Sequence, residues 1–372
     1  MKKEKRKYTA RTHALMHTGA DFMPVASSFV FATCNAGSES AVKAEVARAH
    51  GPLLTPAFMR PGLITWKSRE PLDAAFDLGS TFARVSGLSL GISKSTDHLV
   101  GLAAGAFGAR SFHLHAFPRD VPEEGVGDET WSRIDSSRDR ISAEMIQAGL
   151  HLHEPRRPGA GEWVLDAIVE PDTGHCLAGV HRHQAARHPL AGALPRIALP
   201  PESPSRAFLK IEQALAWQNL DAEGALAGLH ALELGCAPGG GTYALLRRGV
   251  SVTGVDTGAM SPLLAAFTGP GGARFTHLPV PAGALGDHPL PKQTAILVSD
   301  MNLAPPAVLK YVEAAQRRVR ARILIVTIKL NDRVMESRLP EYLSSFARFA
   351  PGPARAVQLQ AHRREVCFFS RS

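Results

Sequence analysis

Four ionisable residues recur in places where a chain could bring them together: Lys210 inside PSRAFLKIEQA, Asp300 closing AILVSD, Lys329 closing LIVTIK and Glu365 in HRREVCFFS. Two lysines with two carboxylates suit proton abstraction from a weak acid. A lysine becomes a base when its pKa falls, which burial and a second nearby cation both promote by disfavouring the charged form, and carboxylates can orient it. Such a base withdraws the proton of a hydroxyl, a poor nucleophile until then, so that it attacks an electrophile held in line. A lysine at a strand end is also a common solvated cap. Lys329 by itself therefore says little, and the reading rests on the set.

A second group of residues offers a place for the electrophile. LELGCAPGGGT lies where a strand gives way to a helix, and Gly235, Gly239, Gly240 and Gly241 relieve the steric block to close backbone approach. In open α/β sheets the carboxyl edge of the first strand is where adenosyl ligands settle. Asp256 closes the next strand, SVTGVD, about 20 residues on, where a carboxylate can accept both ribose hydroxyls of an adenosine. Pro238 stands inside the turn and the strict G-x-G-x-x-G spacing is missing, which argues against a dinucleotide dehydrogenase and for the methyltransferase form of the loop. Glu233, at the end of the same strand, reads equally well as a site group and as a local cap of backbone amides.

The elements that must position these residues follow from periodicity. From Ser205 strands and helices alternate: a helix, HALELG, a helix from Gly240, SVTGVD, AILVSD, a helix from Pro305, RILIVTIK, a helix from Asp332, then AVQLQAH and VCFFS. This pattern predicts a mostly parallel sheet with helices on both faces and an antiparallel pair at one edge. Upstream, SFVFATC reads as a strand followed by a helix from Ser38 to Gly51, with LITWKS, a helical PLDAAFDLG and FARVSGLSLGIS completing an α+β module. HLVGLAAGAFGA, SFHLHAF, RDRISAEMIQAGL, WVLDAIVEP and CLAGVHR make a second one, with PEEGVGDE a loop and PDTG a hairpin turn. Residues 1–27 read as a flexible basic arm, and the proline-rich 191–204 as a linker.

PSRAFLKIEQA, LELGCAPGG, Asp256, VSDMN, TIKL and REVCFF, in that order, resemble the FtsJ-like RNA ribose 2'-O-methyltransferases with their Lys-Asp-Lys-Glu tetrad. Within that family the likeness is closest to the enzymes that methylate cytidine in large-subunit rRNA. It covers 203 to about 370 and, more loosely, SSFVFATCNAGSE and the passage from GHCLAGVHR to PRIALPPESP. The resemblance implies a Rossmann-like methyltransferase domain over 205–372, preceded by a ferredoxin-like module over 28–94 and a THUMP-like RNA-binding domain over 95–190. It implies Lys329 as the base, Lys210 and Glu365 as residues that place the ribose and tune Lys329, and Asp300 as orienting Lys329 beside the methionine end of S-adenosylmethionine. Gly235, Ala237, Pro238, Gly239 and Gly240 would wrap that cofactor, with Asp256 on its ribose. Three positions depart from the family pattern: Gly241 where an aromatic residue is common, Ala207 in place of a hydroxyl, and Pro281 in place of an acidic residue near the adenine.

Composition is compatible with this. The chain of 372 residues has a net charge of +8, which suits a polyanion such as RNA, because each neutralised phosphate releases counterions. No apolar run approaches the ~18 residues of a membrane span. Cys34, Cys176, Cys236 and Cys367 form no C-x-x-C pair, which points to a reducing cytoplasm. His175, His181, His183 and His188 cluster without the spacing of a metal site, so no metal is expected; His181, Arg182, His183, Arg187 and Arg196 read equally as phosphate contacts or as a solvated connecting strand.

Overall fold

The run SFVFATC, lengthened by two residues, is strand β1 (Ala26–Cys34), and the turn after it leads into α1 (Glu39–His50). A computed structural model describes residues 25–119, 121–122, 125–170, 173–291 and 293–372. The basic arm expected over 1–27 falls almost wholly outside them, as do Pro171 and Asp172 of the PDTG turn. Strands β2 (Leu54–Arg60) and β3 (Leu63–Asp73) form a hairpin, and β4 (Ala83–Ser93) follows. Then come α2 (Thr96–Phe107), β5 (Phe112–Pro118), α3 (Asp128–Gln147), β6 (Trp163–Val169) and β7 (Cys176–Arg182).

Two differences from the expected elements have clear causes. PLDAAFDLG is not a helix: its first residues extend β3, because Leu72 and Asp73 pair with Ser27 and Ala26 of β1. β2 was hidden from periodicity because it is an edge strand, interrupted by Pro56 and exposed along most of its length.

The two upstream stretches share one seven-stranded sheet in the order β2-β3-β1-β4-β7-β6-β5. The join is the antiparallel pairing of β4 with β7, and only β5 and β6 run parallel. A single side chain explains why the join tolerates no bulk. The buried Phe31 of β1 pairs with Gly87 of β4, and its ring reaches across to β7, where a Cβ on Gly179 would lie 2.1 Å from Phe31 Cε1.

The residues expected as a linker are docked to both lobes. Ala193 and Leu194 are buried, Arg196 makes two hydrogen bonds to Asp135 at 2.7 and 2.6 Å while lying 4.1 Å from the Trp131 ring centre, and Glu202 accepts from Tyr243 Oη at 2.6 Å. After them come α4 (Ala207–Trp217), β8 (His230–Leu234), α5 (Gly240–Arg247) and β9 (Ser251–Val255). The chain continues through α6 (Pro262–Ala266), β10 (Phe275–Leu278), β11 (Thr294–Ser299), α7 (Pro305–Val319) and β12 (Ile323–Lys329). It ends with α8 (Arg333–Ser337), α9 (Leu339–Ala347), β13 (Arg355–Val357) and β14 (Glu365–Arg371).

The second sheet runs β10-β9-β8-β11-β12-β14-β13, parallel from β10 to β12 and antiparallel at β14 and β13. This is the mixed α/β sheet expected from alternation, with its antiparallel edge. The strand order reverses between β8 and β11, the point where such sheets open a crevice at the carboxyl ends of the strands. AVQLQAH is strand only to Val357, because the next N–H, of Gln358, is donated across the lobes to Thr81 O at 2.8 Å.

Replacing Gly179 with Ala should force Phe31 out of its place across the β4/β7 join. We expect Gly179→Ala to lower unfolding free energy by about 1–3 kcal/mol, as overpacked cores do. Denaturant unfolding of the full chain checks this, and an unchanged midpoint would show that the ring moves without cost.

Candidate active site

The carboxyl edge of the second sheet collects the tetrad. Lys329 is the last residue of β12 and Glu365 the first of β14, and antiparallel register sets them directly opposite each other. Lys329 Nζ lies 3.7 Å from Glu365 Oε1 and, among the described residues, makes no hydrogen bond. Lys210 comes from α4, a helix buried over most of its surface, and its Nζ lies 2.8 Å from Glu365 Oε2 and 3.0 and 3.3 Å from the two oxygens of Asp300. Asp300 follows β11 and is held there by its N–H, donated to Leu234 O at 3.1 Å. The structure thus assigns Asp300 to Lys210, whereas the resemblance implied that it orients Lys329; the cross-strand neighbour of Lys329 is Glu365 instead. The reason is register, since Lys329 sits beyond the end of the β11/β12 ladder and opposite β14.

Burial works to depress the Lys210 ammonium, but the carboxylates of Asp300 and Glu365 outweigh it and hold its pKa above the ordinary lysine value. Lys210 is therefore a fixed cation. Glu365 bridges it to Lys329, so one carboxylate is shared by two lysines.

The glycine loop lies at the end of β8. Gly235 has a φ of +77°, and a Cβ there would come within 2.9 Å of the Met301 backbone, which keeps the β8 and β11 ends close. A Cβ on Gly240 would meet Ser205 Oγ at 2.3 Å, so the bare α5 start lets α4, and Lys210 with it, pack against the loop. Asp256 follows β9 and accepts from Ala237 N–H at 3.0 Å and Gly258 N–H at 2.7 Å. Those two bonds fix its carboxylate beside the loop and leave acceptor capacity, since each carboxylate oxygen offers about two sites.

Glu233 proves to be structural. It is 2% exposed, accepts from Thr242 Oγ1 at 2.6 Å, and burial pushes its carboxyl up to about 8. This also bears on Gly241: a Cβ there would stand 2.4 Å from Glu233 Oε1, so a side chain at 241 would require the carboxyl bonded to Thr242 to shift.

Sequence reasoning missed the segment that delivers Glu365. Asn35, in the turn after β1, donates from Nδ2 to Leu359 O at 2.8 Å and to His362 O at 3.0 Å, and Gln213 of α4 accepts from Ala361 N–H at 2.9 Å. His362 is buried, and burial followed by the nearby Lys210 charge takes its imidazole down to about 3, so it is neutral here. Between a strand and a helix, Asn35 to Gly37 reads as ordinary turn chemistry; only tertiary structure shows that Asn35 reaches the other lobe. Beside this segment a cleft of about 1000 Å³ opens between the lobes, bounded by the start of α1 on one side and by Lys210, Lys329 and Glu365 on the other. Its charged lining is predominantly basic, with Arg206, Arg333, Arg363 and Arg364 joining the two lysines against Asp332, Glu336 and Glu365.

The histidine-rich passage is neither a surface phosphate contact nor a solvated strand: His181, His183 and His188 are buried, and Arg187 and Arg196 are engaged by Asp77 and Asp135. The side chains of His113, His153 and Glu162 do approach one another within 4.8 Å, but Arg156 and the Gly159 N–H already occupy the Glu162 carboxylate. The four cysteines are free and buried, and among the described residues no helix is long and apolar enough to cross a membrane.

Residues 204–317 match the model of the FtsJ-like methyltransferase family. The chain is 31% identical over 204 residues to "Ribosomal RNA large subunit methyltransferase M" of Halorhodospira halophila, covering 55% of this chain and 56% of that one. A protein of the same name from Teredinibacter turnerae is 30% identical over 235 residues, covering 61% and 62%. In these two matches the chain thus spans less than two thirds of its relatives' length. Among solved structures, TrmN from Thermus thermophilus is similar at 17% identity over 92% of this chain and 99% of that one, with a TM-score of 0.33, too slight a likeness to argue from.

Glu233 makes a pH-dependent prediction. Its folded carboxyl keeps a proton up to about 8, whereas the unfolded chain releases it near 4.5. Between these values the folded state binds more protons, so stability falls as pH rises through the window and levels off above it. Glu233→Gln, which keeps an acceptor for Thr242, should flatten this decline, on the order of a few kcal/mol in all. Thermal melts at several pH values check it, and equal slopes for both proteins would contradict the assignment.

Proposed function

We propose that the chain is an S-adenosylmethionine-dependent methyltransferase that methylates a ribose 2'-hydroxyl of RNA, with large-subunit rRNA as substrate and Lys329 as general base. The observation that carries this reading is the single carboxylate, Glu365, shared by Lys210 and Lys329 at the edge of the cofactor crevice. The match of residues 204–317 to FtsJ-like methyltransferases and the names of the curated relatives support the reaction class and the RNA.

The residues fit the cofactor. Asp256, immobilised by two backbone N–H groups, would accept ribose hydroxyls, Gly235, Ala237, Pro238, Gly239 and Gly240 would wrap the ligand, and Asp300 would balance the cationic methionine end. When bound, S-adenosylmethionine supplies a methyl group on a sulfonium, and its transfer needs an in-line oxygen nucleophile.

The chain's own residues prepare that nucleophile. Lys329 Nζ, which makes no hydrogen bond among the described residues and lies within ion-pair distance of Glu365, takes the 2'-hydroxyl proton when it is in its neutral amine form and becomes the ammonium. Lys210, held as a cation by two carboxylates, is suited to hold the ribose oxygen and the charge that develops on it rather than to act as a second base. Glu365 keeps the two lysines at a set separation. The basic cleft carries the flanking RNA, and the first lobe, over 28–190, reads RNA in the manner that ferredoxin-like and THUMP-like modules would, ahead of the 205–372 catalytic domain. Free, buried thiols suit a cytoplasmic setting.

Two experiments test this reading. With unmodified ribosomal RNA and labelled cofactor, Lys329→Ala should lose at least about 10²-fold in transfer rate while its calorimetric affinity for S-adenosylmethionine stays within a few-fold of wild type. Equal label from both proteins would remove the base assignment, and no label from either would favour an RNA-binding protein that keeps the fold without the chemistry. Arg364→Ala, at the exposed rim of the cleft, should weaken RNA binding and reduce the salt dependence by about one phosphate contact. An unchanged slope would place the RNA elsewhere.

A further inference from the structure

A second cavity, of about 270 Å³, lies between the lobes away from the tetrad, lined by Arg84, His181, Arg187 and His188 of the first lobe and by Trp217 and Arg355 of the second. Arg84 projects from β4 and is only 4% exposed, yet none of its three guanidinium nitrogens has a hydrogen-bond partner among the described residues. Burial brings its guanidinium down to about 10, which still leaves it charged at neutral pH. The adjacent Cys34 thiol, pushed up to about 12 by burial and by Glu39, is neutral and cannot balance it. An arginine held in the interior without a counter-charge or a hydrogen bond is strongly unfavourable unless something fills the space beside it.

The neighbouring groups also offer donors. Arg187 gives its two terminal nitrogens to Ser86 O, Phe76 O and Asp77, but its Nε has no partner among the described residues. His188 accepts the Leu190 N–H on Nδ1, so the neutral ring carries its proton on Nε2, which is likewise unpartnered. Burial keeps that imidazole far below its usual pKa, near 3, and neutral. From the second lobe, Arg355 donates from Nη1 to Ala185 O at 3.0 Å. Among the described residues Asp77 is the one carboxylate of the lining, and Arg187 already pairs with it at 3.3 Å. Residues lining the space thus carry N–H groups in need of acceptors, and the lining has excess positive charge. Guanidinium forks match tetrahedral oxyanions in charge, spacing and number of acceptor sites.

We propose that this interlobe cavity binds a phosphate-class oxyanion, with Arg84 as its principal ligand and Arg187 Nε and His188 Nε2 as further donors. Because Arg355 and Trp217 belong to the second lobe, a bound anion also ties the two lobes together. The inference is independent of methyl transfer and survives or fails without it.

The test melts the full chain in inorganic phosphate and in chloride at matched ionic strength, with phosphate titrated by calorimetry. Wild type should show saturable binding and a melting temperature raised on the order of 3 °C at a hundredfold excess over Kd. Arg84→Met should abolish the phosphate-specific shift. Arg355→Gln, which leaves the buried arginine in place, should weaken phosphate binding several-fold and keeps the test open if Arg84→Met does not fold. No saturable heat with wild type, or the same shift in Arg84→Met, overturns the proposal. Adding single-stranded RNA distinguishes the source: displacement of phosphate identifies the ligand as a strand phosphate, and simultaneous binding identifies a free anion.

Discussion

One carboxylate governs the site. Glu365 lies 2.8 Å from the Lys210 ammonium and 3.7 Å from that of Lys329; without it Lys210 would keep only Asp300, and Lys329 would lose its ion-pair partner among the described residues. Two cations brought this close repel, and in a half-buried setting the repulsion is little screened by solvent. Glu365 with Asp300 makes the arrangement tenable: the four groups form one chain of ion pairs, in which Lys210 has two carboxylate partners and stays charged, while Lys329 has one and, among the described residues, makes no hydrogen bond. The division of labour between two chemically identical side chains arises from unequal numbers of carboxylate partners.

Much of the second lobe serves this constraint. The β12/β14 register sets Lys329 opposite Glu365, the bare start of α5 lets α4 approach far enough to bring Lys210, and the hydrogen bond from Asp300 N–H to β8 anchors its carboxylate next to the glycine loop. The first lobe contributes at a distance. Asn35 and Thr81 grip the segment from Gln358 to His362 that leads into β14, so placement of Glu365 depends on how the lobes meet. Arg157, paired with Asp221 at 2.5 Å, adds to that contact.

What could be read from residues alone was the part written in short-range pattern. Strand-end polar residues and a glycine turn between a strand and a helix are local signals, and they single out Asp256, Asp300, Lys329 and Glu365 as candidates, whereas Lys210, inside a helix, stands out only as a member of the set. Pairings that depend on register were not legible. Nothing in the order of the chain says that Asp300 meets Lys210 rather than Lys329, or that β4 and β7 join two stretches into one sheet. Gly241 shows the same limit from another side. In the sequence it is only a departure from the family pattern, whereas in three dimensions it gives room to the buried Glu233. Arg84 is an ordinary letter within an alternating strand until its burial is seen.

The central claim is that this arrangement activates a ribose hydroxyl. It is tested most directly by locating the methyl group after reaction of the wild-type protein with unmodified large-subunit rRNA and labelled S-adenosylmethionine. A methyl group on the 2'-oxygen removes the neighbouring hydroxyl that alkaline cleavage requires. The account predicts that label is recovered in an alkali-resistant dinucleotide and, after full digestion, in a 2'-O-methylated nucleoside. Label on a nucleobase would contradict it.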